Sequence, residues 1–129
     1  MAAVEQGAPL MTVDYDFWVK LPERNYVRLL QIVRRQRGTI LARTFYELVY
    51  GTQVNAVFRP DGLRSFDVEY KSARVSQLEG QTIRVLPLPR VIASKKASAR
   101  EKDLAVLPIL QRTLRLRRRL RNRRKKNAR

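Results

Sequence analysis

The sequence predicts a mixed α+β fold: a small mixed sheet flanked by helices, with a basic helical tail at the C-terminus. Three observations lead there. Stretches of period-two alternation interleave with stretches of helical spacing along the 129 residues, in the order β-α-β-β-α-β-β-α-α. The longest apolar run, Leu104–Leu110, is seven residues and contains Pro108, far short of a membrane span. The net charge of +17 is uneven: Arg112–Arg129 carries 11 Lys/Arg and no acid, which leaves residues 1–111 at +6.

Residues 1–11 are small and mixed, with Gly7 and Pro9 breaking any helix. Thr12–Val19 alternates, placing Val13, Tyr15, Phe17 and Val19 on one face and Asp14, Asp16 and Trp18 on the other, the pattern of a strand. Leu21-Pro22-Glu23 opens a helix, with proline and an acid in its first turn. Tyr26, Leu29, Leu30 and Val33 then recur at helical spacing to about Arg37, the last turn is cationic, and Gly38 stops it. Thr39–Thr44 reads as a short strand and Gln53–Arg59 as a stronger one, closed by the turn Pro60-Asp61-Gly62. Ser65–Ser72 reads as a short helix, in which Asp67 and Glu69 are expected to be surface acids. Arg74–Leu78 and Thr82–Leu86 flank Glu79-Gly80-Gln81 as a hairpin. Pro87–Ala99 and Lys102–Leu110 read as two helices, with Pro108 kinking or restarting the second. The tail from Gln111 is helical by propensity, with a thin apolar stripe of Leu114, Leu116 and Leu120. The aromatic residues Tyr26, Phe45, Tyr46, Phe58, Phe66 and Tyr70 are spaced as core, and Trp18 as a half-buried packing residue.

Composition excludes several chemistries. The chain has no Cys, so no disulfide framework and no thiolate metal site. It has no His, which removes Ser–His–Asp and Cys–His catalysis and histidine-ligated zinc. A metal must then be held by oxygen ligands, which favours Mg²⁺ or Mn²⁺. The N-terminus lacks a basic segment ahead of an apolar core, so no signal peptide is read and a cytoplasmic location without membrane association is the expectation.

Asp14 and Asp16 are the most informative residues. At i and i+2 of a strand they share a face, about 7 Å apart along it. Such a pair can share one Mg²⁺ or flank two, as phosphoryl transfer requires. Solvent-facing acids on an edge strand fit the same spacing.

Gly7-Ala8-Pro9-Leu10-Met11-Thr12-Val13-Asp14-Tyr15-Asp16-Phe17-Trp18-Val19 resembles the turn and second strand of small bacterial nucleotidyltransferases of the DNA polymerase β-like superfamily. Members read Thr-x-Asp-x-Asp with apolar flanks there. Ile92–Leu104, with Ser94-Lys95-Lys96 and Arg100-Glu101-Lys102-Asp103, resembles a second family stretch, and Asp61–Phe66 resembles the segment after the third core strand. The likeness spans about residues 1–110 and is nearest to minimal nucleotidyltransferases and abortive-infection toxin–antitoxin relatives.

The resemblance implies a nucleotidyltransferase-like domain over 1–111 and a basic helical tail over 112–129. The family's Gly-Gly motif falls just before Met1, so the chain is expected to begin inside the fold without the first strand. Asp14 and Asp16 become metal ligands and catalytic residues. The position of the third catalytic carboxylate falls on Asn55, which is uncharged and a poor base. Lys95, Arg100 and Lys102 become the nucleotide-phosphate ligands, Lys95 and Lys102 lying with Ala99 near one helix face. A solvated helix face with Lys102 and Asp103 as a local ion pair fits the same residues.

The implied function is Mg²⁺- (or Mn²⁺-) dependent transfer of NMP from a nucleoside triphosphate to an acceptor hydroxyl, in a form that is degenerate or inactive with Asn55. The alternatives are a non-catalytic basic protein that grips RNA or DNA, or a toxin–antitoxin component with a protein partner. In the nucleic-acid reading Arg117, Arg118, Arg119, Arg121, Arg123, Arg124, Lys125 and Lys126 contact phosphates. A solvated, frayed helix end fits the same charge run.

Overall fold

The computed structural model describes residues 1–12, 14–20, 23–78 and 80–127. Val13 of the expected first strand, Leu21 and Pro22 of the expected helix opening, Glu79 of the expected turn and the last two residues, Ala128 and Arg129, lie outside the described residues. The chain has a mixed α+β fold. Two compact units form: residues 11–60 with Met1, and residues 2–10 with 61–129.

The first unit is a four-stranded mixed sheet with one helix. Its strands are β1 (Asp14–Trp18), β2 (Thr39–Ala42), β3 (Phe45–Glu47) and β4 (Gln53–Val57), ordered β1-β4-β3-β2. β1 runs parallel to β4, and the other neighbours are antiparallel. The parallel pair requires a long crossover, which contains helix α1 (Glu23–Arg35) and the β2–β3 hairpin. Val33, Tyr46, Val54 and Ala56 are the buried centre, with Tyr15, Tyr26, Leu29, Leu30 and Leu48 packed around them. Tyr15, Val54 and Tyr46 share one face by register, so the apolar face of the sheet meets the apolar stripe of α1.

The expected strand Thr39–Thr44 ends at Ala42, and β3 follows it as a strand that the periodicity did not suggest. Thr39–Thr44 breaks at Arg43 and Thr44, and the chain returns antiparallel as β3, pairing Ala42 with Phe45. The turn has no Gly or Asn signal. It is held instead by the Arg43 carbonyl, which accepts the Tyr26 hydroxyl at 2.5 Å and the Tyr46 hydroxyl at 2.8 Å. Burial pushes the Tyr46 phenol well above its ordinary range, reinforced by Tyr26.

Helix α1 ends as the sequence suggests, but by a different residue. Arg37 takes the left-handed conformation, φ 52°, and the Gly38 amide bonds back to the Val33 carbonyl at 2.8 Å. Gly38 serves close packing: a Cβ there meets Leu48 Cδ2 and Val33 Cγ1 at 2.9 Å.

The second unit combines helix α2 (Phe66–Ser72), the hairpin β5 (Arg74–Leu78) and β6 (Gln81–Val85), helix α3 (Leu88–Ser98) and helix α4 (Glu101–Asn127). Leu88, Val91 and Ile92 of α3 pack on Leu107 and Leu110 of α4, and Ala3 and Ala8 join them from the N-terminal segment. Residues 2–7 are consecutive turns. Within them Gln6 is buried; its amide donates to the Ala2 and Leu86 carbonyls at 2.8 Å, and its oxygen accepts the Leu88 amide at 2.9 Å. That bond satisfies a free N–H in the first turn of α3.

α4 runs unbroken through Pro108 and residue 111. Proline there removes the bond to the Leu104 carbonyl, but both residues are exposed and water can replace it. Among the described residues no helix is long and apolar enough to cross a membrane.

Candidate functional site

In the first unit Asp14, Asp16 and Asn55 come together. Register pairs Asp16 with Asn55 and Asp14 with Gln53, so all four project from the sheet face opposite the apolar core. Asn55 Nδ2 reaches diagonally and donates to Asp14 Oδ2 at 3.0 Å. Thr12 Oγ1 donates to Asp14 Oδ1 at 3.0 Å, so the carboxylate is clamped from both sides. Asp14 and Asn55 are half-buried and Asp16 is exposed. Trp18 continues the same face, half-buried, with its indole N–H on the Phe58 carbonyl at 3.1 Å. That bond fixes it as a packing residue.

Thr12 was not singled out as a site residue from sequence. Its signal was available: a hydroxyl two positions before a strand acid can reach that carboxylate locally.

Two carboxylates and one amide oxygen suit a single hard cation whose remaining positions are water. Among the described residues no group of three or more His, Cys, Asp or Glu gathers as a metal site. Asp14, Asp16 and the Asn55 amide oxygen are the residues here that could hold such a cation.

In the second unit Lys95, Arg100 and Lys102 do not share one helical face. The chain leaves the helix at Ala99, φ 49°, and restarts at Glu101, so Lys95 closes α3 while Lys102 opens α4. Nor does Asp103 pair with Lys102. Asp103 is 1% exposed and accepts Lys95 Nζ at 2.7 Å, Ser98 Oγ at 2.7 Å and Arg100 Nε at 2.6 Å. Burial pushes its carboxyl up, but these hydrogen bonds outweigh burial and hold it well below the usual carboxylate range. Lys102 beside them is exposed.

Glu69 is the second buried acid, where a surface residue is expected from sequence. It is 1% exposed, with Arg90 Nη2 at 2.5 Å and Arg64 Nε at 3.2 Å. The Arg90 hydrogen bonds lower its pKa to about 2, against burial. The pair ties α2 to α3 and has the character of a structural anchor.

The tail cations divide at Arg117. Arg117 Nη1 donates to the Gln6 carbonyl at 2.7 Å, and burial with the nearby Arg74 charge lowers its pKa. Arg118, Arg119, Arg121, Arg123, Arg124, Lys125 and Lys126 are exposed on α4.

No protein-family model, curated protein or solved structure matches the chain.

Proposed function

We propose that the Asp14–Asp16–Asn55 face is the metal and nucleotide site of a nucleotidyltransferase-like protein, transferring NMP from a nucleoside triphosphate to an acceptor hydroxyl. One observation carries the reading: Asp14 and Asp16, picked out by type and spacing, and Asn55, assigned by the family resemblance, meet on the open face of one sheet, with Asn55 hydrogen-bonded to Asp14.

A divalent cation at this face would supply charge neutralisation for the triphosphate, held by Asp14 and Asp16 with the Asn55 amide oxygen. Thr12 and Asn55 fix the Asp14 carboxylate by hydrogen bonds to its two oxygens. The acceptor oxygen bonds to the α-phosphorus, the bond from that phosphorus to the bridging oxygen breaks, and pyrophosphate leaves with the electron pair. The hydroxyl proton passes to water. With an amide in place of a third carboxylate, the reading favours nucleotide binding with slow or absent turnover.

Calorimetric titration with ATP in the presence and absence of Mg²⁺ tests this. Metal-dependent binding that Asp14→Asn weakens at least tenfold, with an unchanged folded spectrum, supports it. Binding that ignores both the metal and the substitution overturns it.

A further inference from the structure

Helix α4 has two halves with different surroundings. Through Arg117 it is anchored: Leu107, Leu110 and Thr113 are buried, and Arg117 bonds to Gln6. From Arg118 to Asn127 every residue is exposed. At 1.5 Å per residue this is about 15 Å of helix, carrying seven cations, and no acid follows Asp103 in the chain.

The arrangement of charge discriminates among polyanions. At 100° per residue the seven cations point in nearly every direction around the axis, and Leu116, Leu120 and Asn127 fill one narrow arc of about 40°. A helix lying on a lipid surface needs an apolar face of about 100° or more, so this end is unsuited to a membrane. It is also unfavourable alone: Arg119 with Arg123, and Arg121 with Lys125, are like charges at i and i+4. A partner with negative charge on both sides relieves that repulsion. The major groove of B-DNA is about 12 Å wide and accepts a helix about 10–12 Å across between two phosphate walls.

We propose that Arg118–Asn127 is a nucleic-acid grip that lies in the major groove of duplex DNA and holds both phosphate backbones. It belongs to a different unit from the Asp14 face, and it stands or falls apart from the nucleotidyltransferase reading.

The test is fluorescence anisotropy of the full chain with a labelled duplex of about 20 base pairs across a salt series. Contact with about six phosphates lowers affinity roughly 10³-fold between 50 and 200 mM salt. Glutamine at all seven cationic positions keeps helix propensity and is expected to weaken binding at least 100-fold with unchanged thermal unfolding. Lysine at the five arginine positions is expected to retain the salt slope. The helical circular-dichroism signal of the parent chain is expected to rise on adding DNA, since the phosphates relieve the repulsion. A glutamine variant that binds as tightly as the parent overturns the proposal. So does tighter binding to phosphatidylserine vesicles, or to single-stranded RNA of equal length, than to the duplex.

Discussion

Asn55 Nδ2 donates to Asp14 Oδ2 at 3.0 Å, across the one parallel pairing in the four-stranded sheet. The amide donates to the Asp14 carboxylate without adding a charge of its own, and under the proposed function it stands where a third carboxylate would complete a two-metal site. Asn55→Asp replaces attraction by repulsion between carboxylates. In metal-free buffer the variant is expected to melt lower than the parent. With Mn²⁺ the loss reverses, and calorimetry is expected to show at least tenfold tighter metal binding. Unchanged Mn²⁺ affinity would count against a metal role for this face.

Asp103 is the buried counter-ion of Lys95 and Arg100. Lys95 and Arg100 reach solvent, at 32% and 63% side-chain exposure, so neutralising Asp103 leaves no buried cation and costs the charge-assisted part of its hydrogen bonds. Asp103→Asn is therefore expected to lower the urea midpoint by a shift equivalent to about 1–3 kcal/mol. Lys102→Gln, on an exposed side chain, is expected to change stability by less than about 0.5 kcal/mol. Parallel urea titrations compare the two. Equal effects mean that the Asp103 cluster does not hold α3 to α4.

Glu69 sets an acid limit on stability. Its folded pKa is about 2 against an ordinary 4.5, so in acid the unfolded chain takes up the proton more readily than the folded one. The stabilisation is complete above the ordinary value and is lost as pH falls through the range from about 4.5 to about 2. For this nearly fully buried carboxylate the amount is about 3 kcal/mol. Urea unfolding of the parent and Glu69→Gln between pH 6 and 2 measures it. The gap between the two proteins is expected to close toward pH 2, and a constant gap refutes the linkage.

The elements were legible where periodicity carried them. Tyr26, Leu29, Leu30 and Val33 gave α1, and the alternation around Asp14 and Asp16 gave β1 and the face shared by both acids. Asn55 joined them through the resemblance, which puts a third carboxylate on its strand, and the alternation of that strand singled out the position. The hairpin at Arg43 was hidden, because its turn is fixed by two tyrosine hydroxyls from elsewhere in the unit and not by turn residues. The partners of Asp103 were hidden for a related reason. Ala99 adopts a left-handed conformation that alanine seldom takes, and this break redirects Arg100 and brings Lys95 back toward α4. Glu69 looked like a surface acid because nothing in its own helix marks it; Arg90, 21 positions later, makes its burial tolerable.

Gly62 links the turn after β4 to helix α3 by shape alone. Its φ is +66°, and a Cβ there lies 2.6 Å from Ala97 Cβ and 2.9 Å from the Ala93 carbonyl oxygen. Alanine at this position meets two costs: the left-handed backbone, at about 1 kcal/mol or more, and a collision with helix backbone that has no flexible end to yield. Gly80 separates them, because its φ is +77° with nothing within 4 Å of an added Cβ. Gly80→Ala is expected to cost about 1 kcal/mol and Gly62→Ala about 2–4 kcal/mol. Thermal unfolding of both variants gives the comparison. The Gly62 variant is also expected to speed proteolysis around residues 61–65, since relief of the clash moves the turn away from α3. If the two alanine variants lose equal stability, the contact between Gly62 and α3 is not a packing constraint.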